Sequence, residues 1–160
     1  MYRAAWALCG SREDAEDLVQ ETLTRVLARP RMIRGEDRGY LLQAMRNTFA
    51  TGLRGAARRP RTAALDDVGE PADRRAPAPD RAAEVNEVLE AVAQLPEDFR
   101  LAVVAVDILG LSYAEAGRSL DAREATIATR VYRGRQRIAE QFAQAPGASR
   151  EGSGPKRSLT

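Results

Sequence analysis

Residues 110–138 read GLSYAEAGRSLDAREATIATRVYRGRQRI, and this stretch is the most informative part of the second half of the chain. Ser112 fits the first position of a short helix that ends near Leu120, and residues 121–123 fit a tight turn. A last helix follows over residues 125–138, where apolar residues recur at three- and four-residue spacing. Two short helices joined by about three turn residues make a helix-turn-helix, so the stretch predicts that motif.

The last helix of this motif has two different faces. At about 100° per residue, one narrow sector holds Ile127, Val131, Gly134 and Ile138, which predicts the core side. Residues 125–139 contain four Arg and no acidic residue. A basic helix has the width of the DNA major groove and the charge to meet phosphates. An ordinary basic face in contact with solvent would have the same pattern. The preceding short helix and turn favour DNA binding over this alternative.

The composition supports helices and argues against most chemistry. The 160 residues include 25 basic side chains, all Arg except Lys156, with 23 acidic ones, no His and one Cys. Ala, Leu, Arg, Glu and Gln favour helices, so we predict an all-α fold. Without His, and with Cys9 alone, we expect no catalytic site, no metal and no cofactor. Because the chain has no apolar run of about 20 residues and no signal-peptide pattern, we expect a cytoplasmic protein without membrane insertion.

The chain divides into four parts by charge and composition. Residues 1–59 have a net charge of +4, and residues 82–145 have a net charge of −3. Residues 60–81 contain four Pro, which predicts a flexible linker, and residues 146–160 are rich in Gly, Ser and Pro, which predicts a disordered tail. We therefore expect two small helical domains joined by a linker. Each domain is near the lower size limit for independent folding.

The first domain is predicted to contain two amphipathic helices. Ser11 with Asp14 marks a capped helix start, and a basic loop over residues 31–39 precedes the second helix. The inward positions of the first helix are Ala15, Leu18, Val19, Thr22, Val26 and Leu27. Those of the second are Tyr40, Leu41, Ala44, Met45, Thr48, Phe49 and Leu53. From the pattern alone, the acidic side of the first helix is equally an ordinary solvated face.

Together these segments resemble the extracytoplasmic-function class of bacterial RNA polymerase sigma factors. The stretch GSREDAEDLVQET at residues 10–22 is similar to the second conserved region of that family. GYLLQAMRN at residues 39–47 resembles the end of that region, with Tyr40 where the family usually has Trp. Leu95-Pro96, GLSYAE at residues 110–115 and residues 126–135 resemble the fourth conserved region.

The resemblance implies a role for each segment. Docking on core RNA polymerase would use Asp17, Leu18, Gln20 and Glu21. An exposed loop and the following helix would melt and read the minus-ten promoter element, where a base is captured only after it leaves the stack. The minus-ten residues would be Arg31, Arg34, Arg38, Tyr40, Gln43, Arg46 and Asn47. The minus-thirty-five residues would be Tyr113, Thr126, Ala128, Thr129, Arg130, Tyr132, Arg133 and Arg137.

The sequence departs from the family pattern at the helix-turn-helix. The family turn usually carries Gly, a hydrophobic residue and Pro at the place of residues 121–123. Ala116, Gly117 and Ser119 replace larger apolar residues, and Ala128 stands where a base-facing cation is usual. These departures predict a less secure turn and a low affinity for the minus-thirty-five element.

Two other functions compete with a promoter-specific sigma factor. A sigma-mimicking protein would sequester an anti-sigma factor, the third partner that the resemblance implies, without binding promoters. A stand-alone helix-turn-helix repressor does not explain the motif at residues 17–21. The linker adds a geometric expectation, because a 22-residue coil averages about 26 Å between its ends. Without the polymerase, the two domains should lie close together and bury Asn47 or the last helix.

Overall fold

A computed structural model gives the fold over residues 1–28, 37–56 and 79–144. The all-α prediction is confirmed, since every regular element in these three ranges is a helix. The first half consists of α1 (Tyr2–Cys9), α2 (Arg12–Leu27) and α3 (Asp37–Ala56). The second half consists of α4 (Pro79–Ala93), α5 (Glu97–Val103), α6 (Tyr113–Leu120) and α7 (Glu124–Gln144). A π-helical segment, Val104–Ile108, continues α5 without a break.

The two helix starts predicted from serine are formed as expected. The Ser11 hydroxyl accepts a hydrogen bond from the backbone N–H of Asp14 at 3.2 Å, at the beginning of α2. Ser112 begins α6 with a complete capping box, because its hydroxyl accepts from the Glu115 N–H at 3.2 Å. The Glu115 carboxylate in turn accepts from the Ser112 N–H at 2.6 Å. Each cap satisfies backbone donors that would otherwise lack a partner at a helix start.

The turn between α6 and α7 forms without the residues that the family usually places there. Asp121 adopts the left-handed conformation at φ 52° and ψ 50°, which Asp tolerates better than most residues. A Cβ on Gly117 would lie 2.7 Å from the Ala122 carbonyl oxygen, so a larger residue in α6 would push this turn away. The small residue at 117 therefore permits the tight turn.

Two predicted boundaries differ from the structure. Arg38 and Gly39 belong to the first turn of α3 and not to a loop. Helix α4 begins at Pro79, inside the predicted linker, because the fixed φ of proline suits the first turn of a helix. The remainder of the predicted linker, residues 60–78, and the predicted tail lie outside the described residues.

One hydrophobic core runs through both halves of the chain. Helix α1 packs against α2 in its own half and also against α4, and α3 packs against α2 and α6. The side of α1 that makes these contacts consists of small residues and one Leu, all buried: Ala4, Ala5, Ala7 and Leu8. The two halves therefore lie together, as the length of the predicted linker suggested.

Two core positions were assigned wrongly from periodicity. Leu27 was expected to face inward, but its side chain is 74% exposed. It lies five residues after the buried Thr22, which places it about 140° around α2. In α3 the fully buried leucine is Leu42, three residues before Met45, and not Leu41.

Within the ranges given above, no helix is both long enough and apolar enough to cross a membrane.

Candidate nucleic-acid and partner-binding surfaces

The outer face of α2 carries three of the four residues expected to dock on the polymerase. Asp17, Gln20 and Glu21 are exposed along one side of the helix. Glu21 accepts a hydrogen bond from Arg25 Nε at 2.7 Å, one turn further on. Leu18 is only 6% exposed and packs in the core, about 100° around the helix from Asp17. Leu18 therefore positions this face and does not present a surface to a partner, which corrects its assignment.

Two exposed leucines extend this face and were missed in the sequence. Leu23 and Leu27 lie three and seven residues after Gln20 and are 38% and 74% exposed. A helix brings residues at these spacings to neighbouring positions on its surface. The available signal was the position of both leucines outside the buried sector of Leu18 and Thr22. We call Asp17, Gln20, Glu21, Leu23 and Leu27 the α2 face.

The predicted minus-ten residues of α3 are partly engaged inside the protein. Arg38 donates from a terminal guanidinium nitrogen to the Leu109 carbonyl at 3.1 Å. Gln43 donates from Nε2 to the Ser119 carbonyl at 3.1 Å. Both acceptors belong to the second half of the chain, near the ends of the π-helical segment and of α6. Arg31 and Arg34 lie outside the described residues.

The other minus-ten residues of α3 differ in accessibility. Tyr40 and Arg46 are half-buried, whereas Asn47 is exposed. The expectation that closure would bury Asn47 is therefore wrong. Asn47 lies one turn past Gln43, the residue of α3 that reaches the end of α6. The contact between the two halves thus engages Arg38 and Gln43 without burying them, and it leaves Asn47 accessible.

The outward side of α7 is open to solvent. Thr126, Thr129, Tyr132 and Arg133 are exposed, and the Tyr132 side chain is 63% exposed. The Tyr132 hydroxyl accepts from Gln136 Nε2 at 3.1 Å, which orients the ring along the helix. Ala128 is half-buried beside this side of α7, and Tyr113 is partly exposed at the start of α6. The expectation that closure could bury the last helix therefore does not hold for this side of it.

Three of the four arginines of α7 interact with the rest of the second half. Arg130 pairs with Asp98 at 2.9 Å, and Arg137 lies over the Phe99 ring at 5.2 Å from its centroid. Arg135 donates from Nε to Asp107 at 3.0 Å, and this hydrogen bond raises the pKa of Arg135. Arg133 is the one α7 guanidinium without such a contact among the described residues. Arg130 and Arg137 therefore help to hold α7 on α5.

No ligand site for a metal was found in the part of the chain that the structure covers. There, no three His, Cys, Asp or Glu side chains lie close enough together to hold a metal ion. The surfaces with recognisable chemistry are instead the α2 face, the amino-terminal part of α3 and the outward side of α7. Their side chains suit hydrogen bonds to bases, contacts to phosphates and docking of another protein.

Comparison with known proteins identifies the family. The Sigma-70 region 2 model matches residues 1–59, and the Sigma-70, region 4 model matches residues 86–138. The chain is 35% identical over 153 residues to the ECF RNA polymerase sigma factor SigE of Mycolicibacterium smegmatis, covering 90% of this chain and 58% of that protein. It is 33% identical over 141 residues to SigM of Mycobacterium tuberculosis, covering 87% and 69%.

A solved structure has the same arrangement of helices. The sigma factor RpoE from Bartonella quintana, crystallised in complex with the anti-sigma factor NepR, superposes with a TM-score of 0.65 at 25% identity. The match covers 90% of this chain and 91% of that one. The two region models, the curated relatives and this structure agree with one another, and the chain belongs to the extracytoplasmic-function (ECF) family of RNA polymerase sigma factors.

Proposed function

We propose that this protein is a promoter-specific initiation factor that works in the cytoplasm as a dissociable subunit of RNA polymerase. The α2 face docks on the core enzyme, α3 engages the minus-ten element and α7 reads the minus-thirty-five element as duplex. The chain carries out no covalent step of its own in this scheme. Its role is to direct the active site of the polymerase to a start site.

One observation supports this proposal most strongly. The same chain presents an accessible docking side, with Gln20 and Glu21 next to the apolar Leu27, and a separate basic helix whose Tyr132 and Arg133 face solvent. A repressor would need only the second surface. A large exposed apolar side chain beside polar groups is typical of a protein-protein contact.

The assignments on DNA follow from the chemistry of the exposed groups. Arg133 can pair with a guanine edge or a phosphate, and Thr129 and Tyr132 can contact base edges or the thymine methyl group. Asn47 can pair with an adenine edge once the base is out of the stack. The half-buried Tyr40 follows Gly39 at the start of α3, where its ring would flank such a base.

Run-off transcription with core polymerase and a genomic promoter pool tests the proposal. The parent chain should give specific transcripts, and the double variant Gln20→Ala/Glu21→Ala should bind core more weakly and give fewer. Both residues are exposed, so the helical content seen by circular dichroism should not change. The matched control is Glu87→Ala/Glu90→Ala, which removes two exposed side chains from α4.

The same assay separates a sigma factor from a sigma mimic. A mimic would give no specific transcripts with core polymerase, although it could still bind an anti-sigma factor. Unchanged core affinity in the Gln20→Ala/Glu21→Ala variant would show that the α2 face is assigned wrongly. Loss of affinity in the α4 control as well would point to a general effect of charge.

A further inference from the structure

We infer that Gln136 is a positioning residue for base recognition: its side-chain amide holds Tyr132 so that the phenol hydroxyl meets the minus-thirty-five element as a hydrogen-bond donor. This inference rests on the proposed function, because it requires that the outward side of α7 reads duplex DNA. It adds a residue outside the set expected to meet that element. It also names the base groups that Tyr132 selects, which are the acceptors of guanine and thymine.

The two side chains lie one helical turn apart on the same side of α7. Nε2 of Gln136 donates to the Tyr132 hydroxyl oxygen at 3.1 Å. Four residues of an α-helix turn through about 400°, so Gln136 follows Tyr132 almost directly along the helix surface. Both residues are exposed, and the Tyr132 side chain is 63% exposed. Because most of the ring is in solvent, core packing leaves its orientation to this hydrogen bond.

The hydrogen bond decides which role the phenol group plays toward a partner. A tyrosine hydroxyl has one hydrogen to donate and an oxygen that accepts. Here the oxygen accepts from Gln136, so the hydroxyl hydrogen is available to a group outside the protein. A hydroxyl that accepts one hydrogen bond also donates a stronger one, because successive hydrogen bonds polarise each other. Tyr132 therefore meets DNA as a donor.

A donor at this position distinguishes the bases in the major groove. Guanine presents the acceptors N7 and O6 there, and thymine presents O4, whereas cytosine presents only its N4 amino group. Adenine carries both kinds of group and satisfies a donor or an acceptor. As a donor, Tyr132 should therefore favour guanine or thymine over cytosine at the base that it meets.

The exposed neighbours Thr129 and Arg133 do not depend on another side chain for their roles. Thr129 donates its hydroxyl to the Ala125 carbonyl at 2.9 Å, so its oxygen is left as an acceptor. Arg133 carries only donors. Of these three side chains, Tyr132 alone takes its role from a neighbouring side chain. The preferences at the bases that Thr129 and Arg133 meet thus serve as internal controls for changes at Gln136.

Selection from a duplex pool provides the test. The full chain selects from duplexes based on the strongest promoter recovered in the run-off assay and randomised across the minus-thirty-five element. Gln136→Met keeps the length of the side chain and removes the hydrogen bond, and Tyr132→Phe removes the hydroxyl. Gln141→Met is the matched control, because Gln141 is exposed on the same helix, five residues later and about 140° around it.

We expect Gln136→Met and Tyr132→Phe to reduce the same preference, that for guanine or thymine over cytosine at one position. The reduction should be about two- to tenfold, the range of one neutral hydrogen bond. Gln136→Met should have no further effect in the Tyr132→Phe background, since the two residues act as a unit. Gln141→Met should leave every preference unchanged. If Gln136→Met lowers affinity equally for all sequences and changes no preference, its role is structural and the inference is overturned.

Gln136→Glu is the sharper variant because it reverses the hydrogen bond. A carboxylate can only accept, so the Tyr132 hydroxyl must donate to it and turn its lone pairs toward DNA. The added negative charge should lower affinity for every sequence, but the preference at the base that Tyr132 meets should change to cytosine. In the Tyr132→Phe background the same substitution adds the charge without a hydroxyl, and the preference should stay as in Tyr132→Phe alone. An unchanged preference in Gln136→Glu would contradict the donor role of Tyr132.

The hydrogen bond can be detected without DNA, which separates this inference from the proposed function. Nuclear Overhauser spectra of the free chain should connect the Gln136 side-chain amide hydrogens with the Tyr132 ring hydrogens, since the two polar atoms are 3.1 Å apart. Absence of this signal would overturn the inference even if α7 binds promoter DNA. A parent chain that gives the signal but selects no sequence from the pool would overturn the proposed role of α7, and the inference with it.

Discussion

The two predicted DNA-binding surfaces differ in what they contact within the protein. On α3, Arg38 and Gln43 donate hydrogen bonds to the second half of the chain. On α7, Tyr132 and Arg133 are exposed to solvent. Two donors of the first predicted surface are therefore engaged within the protein, while Tyr132 and Arg133 on the second face solvent.

The difference lies in which polar groups are already bonded within the protein. On α7, Arg130 and Arg137 contact α5, and among the described residues the outward side of the helix stays free of such contacts. In α3, by contrast, the Arg38 and Gln43 donors already bond to the Leu109 and Ser119 carbonyls. The predictions below test this difference, beginning with the largest expected effect.

The first prediction concerns Cys9, which ends α1 close to the junction of the halves. Burial, and to a smaller extent the Asp14 carboxylate, raises the pKa of the Cys9 thiol from 9.0 to about 12, while Arg100 acts in the opposite direction. Alkylation requires the thiolate, so at pH 8 the native thiol should react up to about a thousandfold more slowly than in the urea-unfolded chain. Iodoacetamide labelling followed by mass spectrometry measures both rates.

The same shift in pKa makes stability depend on pH. Between pH 9 and pH 12 the unfolded chain loses the Cys9 proton and the folded chain keeps it, so this contribution is complete below pH 9 and is lost as the pH rises. Urea unfolding should therefore show a smaller loss of stability from pH 8 to pH 10 in Cys9→Ala than in the parent. Equal losses, or equally fast labelling of native and unfolded chains, would show that the thiol is not shielded at the junction.

The second prediction separates the open arginine of α7 from a structural one. Arg133→Ala should weaken binding to minus-thirty-five duplex by about 1–3 kcal/mol, or about 5- to 150-fold, with little change in stability. Arg130→Ala should weaken binding less and lower stability by less than about 1 kcal/mol, because its pair with Asp98 is partly exposed. Fluorescence anisotropy and thermal unfolding give the two quantities. An equal loss of affinity in Arg130→Ala and Arg133→Ala would show that Arg130 breaks its pair with Asp98 and contacts DNA.

The third prediction concerns the salt dependence of binding to the same duplex. If the exposed Arg133 on α7 and the exposed Arg123 in the preceding turn each meet one phosphate, about two phosphates would be contacted. The slope of log affinity against log salt should then be near −1.8, about 0.9 for each phosphate. A slope near −3.6 would indicate about four contacts and show that Arg130 and Arg137 are released on binding. No slope at all would exclude an electrostatic contribution from α7.

The sequence was sufficient for features that depend on neighbours along the chain. Ser11 and Ser112 were recognised as helix starts because a capping serine acts only three residues ahead. Ile127 and Val131 were placed in the core because helical periodicity reports one face of one helix. The docking residues of α2 follow from the family resemblance. The exposure of Leu27 was missed, because the pattern of buried positions was extended one turn too far along the helix.

The features that were missed depend on contacts between distant parts of the chain. Arg130 and Asp98 are 32 residues apart, and Gln43 and Ser119 are 76 residues apart. Local pattern carries no information about such pairs. From local pattern the small residues of α6 predict a less secure turn, whereas in the structure Gly117 makes room for the turn and Ser119 lies against Gly39. Unusually small residues in a helix indicate that another segment packs closely against it. They do not identify that segment.

The last prediction concerns the turn between α6, which packs against α3, and α7, whose outward side is exposed. Asp121 has φ 52° and ψ 50°, and a left-handed conformation costs a residue with a Cβ roughly 1–2 kcal/mol, less for Asp. Asp121→Gly should therefore stabilise the fold by about 1 kcal/mol at most, with an increase in Tm of about 2–4 °C. Thermal unfolding measures this change, and Asp121→Asn, which tolerates the same conformation, is the control. The backbone N–H groups of Asp121 and Ala122 both donate to the Gly117 carbonyl, so neither variant removes these bonds. The spacing of α6 and α7 should stay the same, and so should the affinity for minus-thirty-five duplex.

A decrease in Tm for Asp121→Gly would show that the Asp side chain itself stabilises the turn. A change in affinity without a change in Tm would mean that Asp121 acts on DNA, and the open surface would then extend from α7 into the turn.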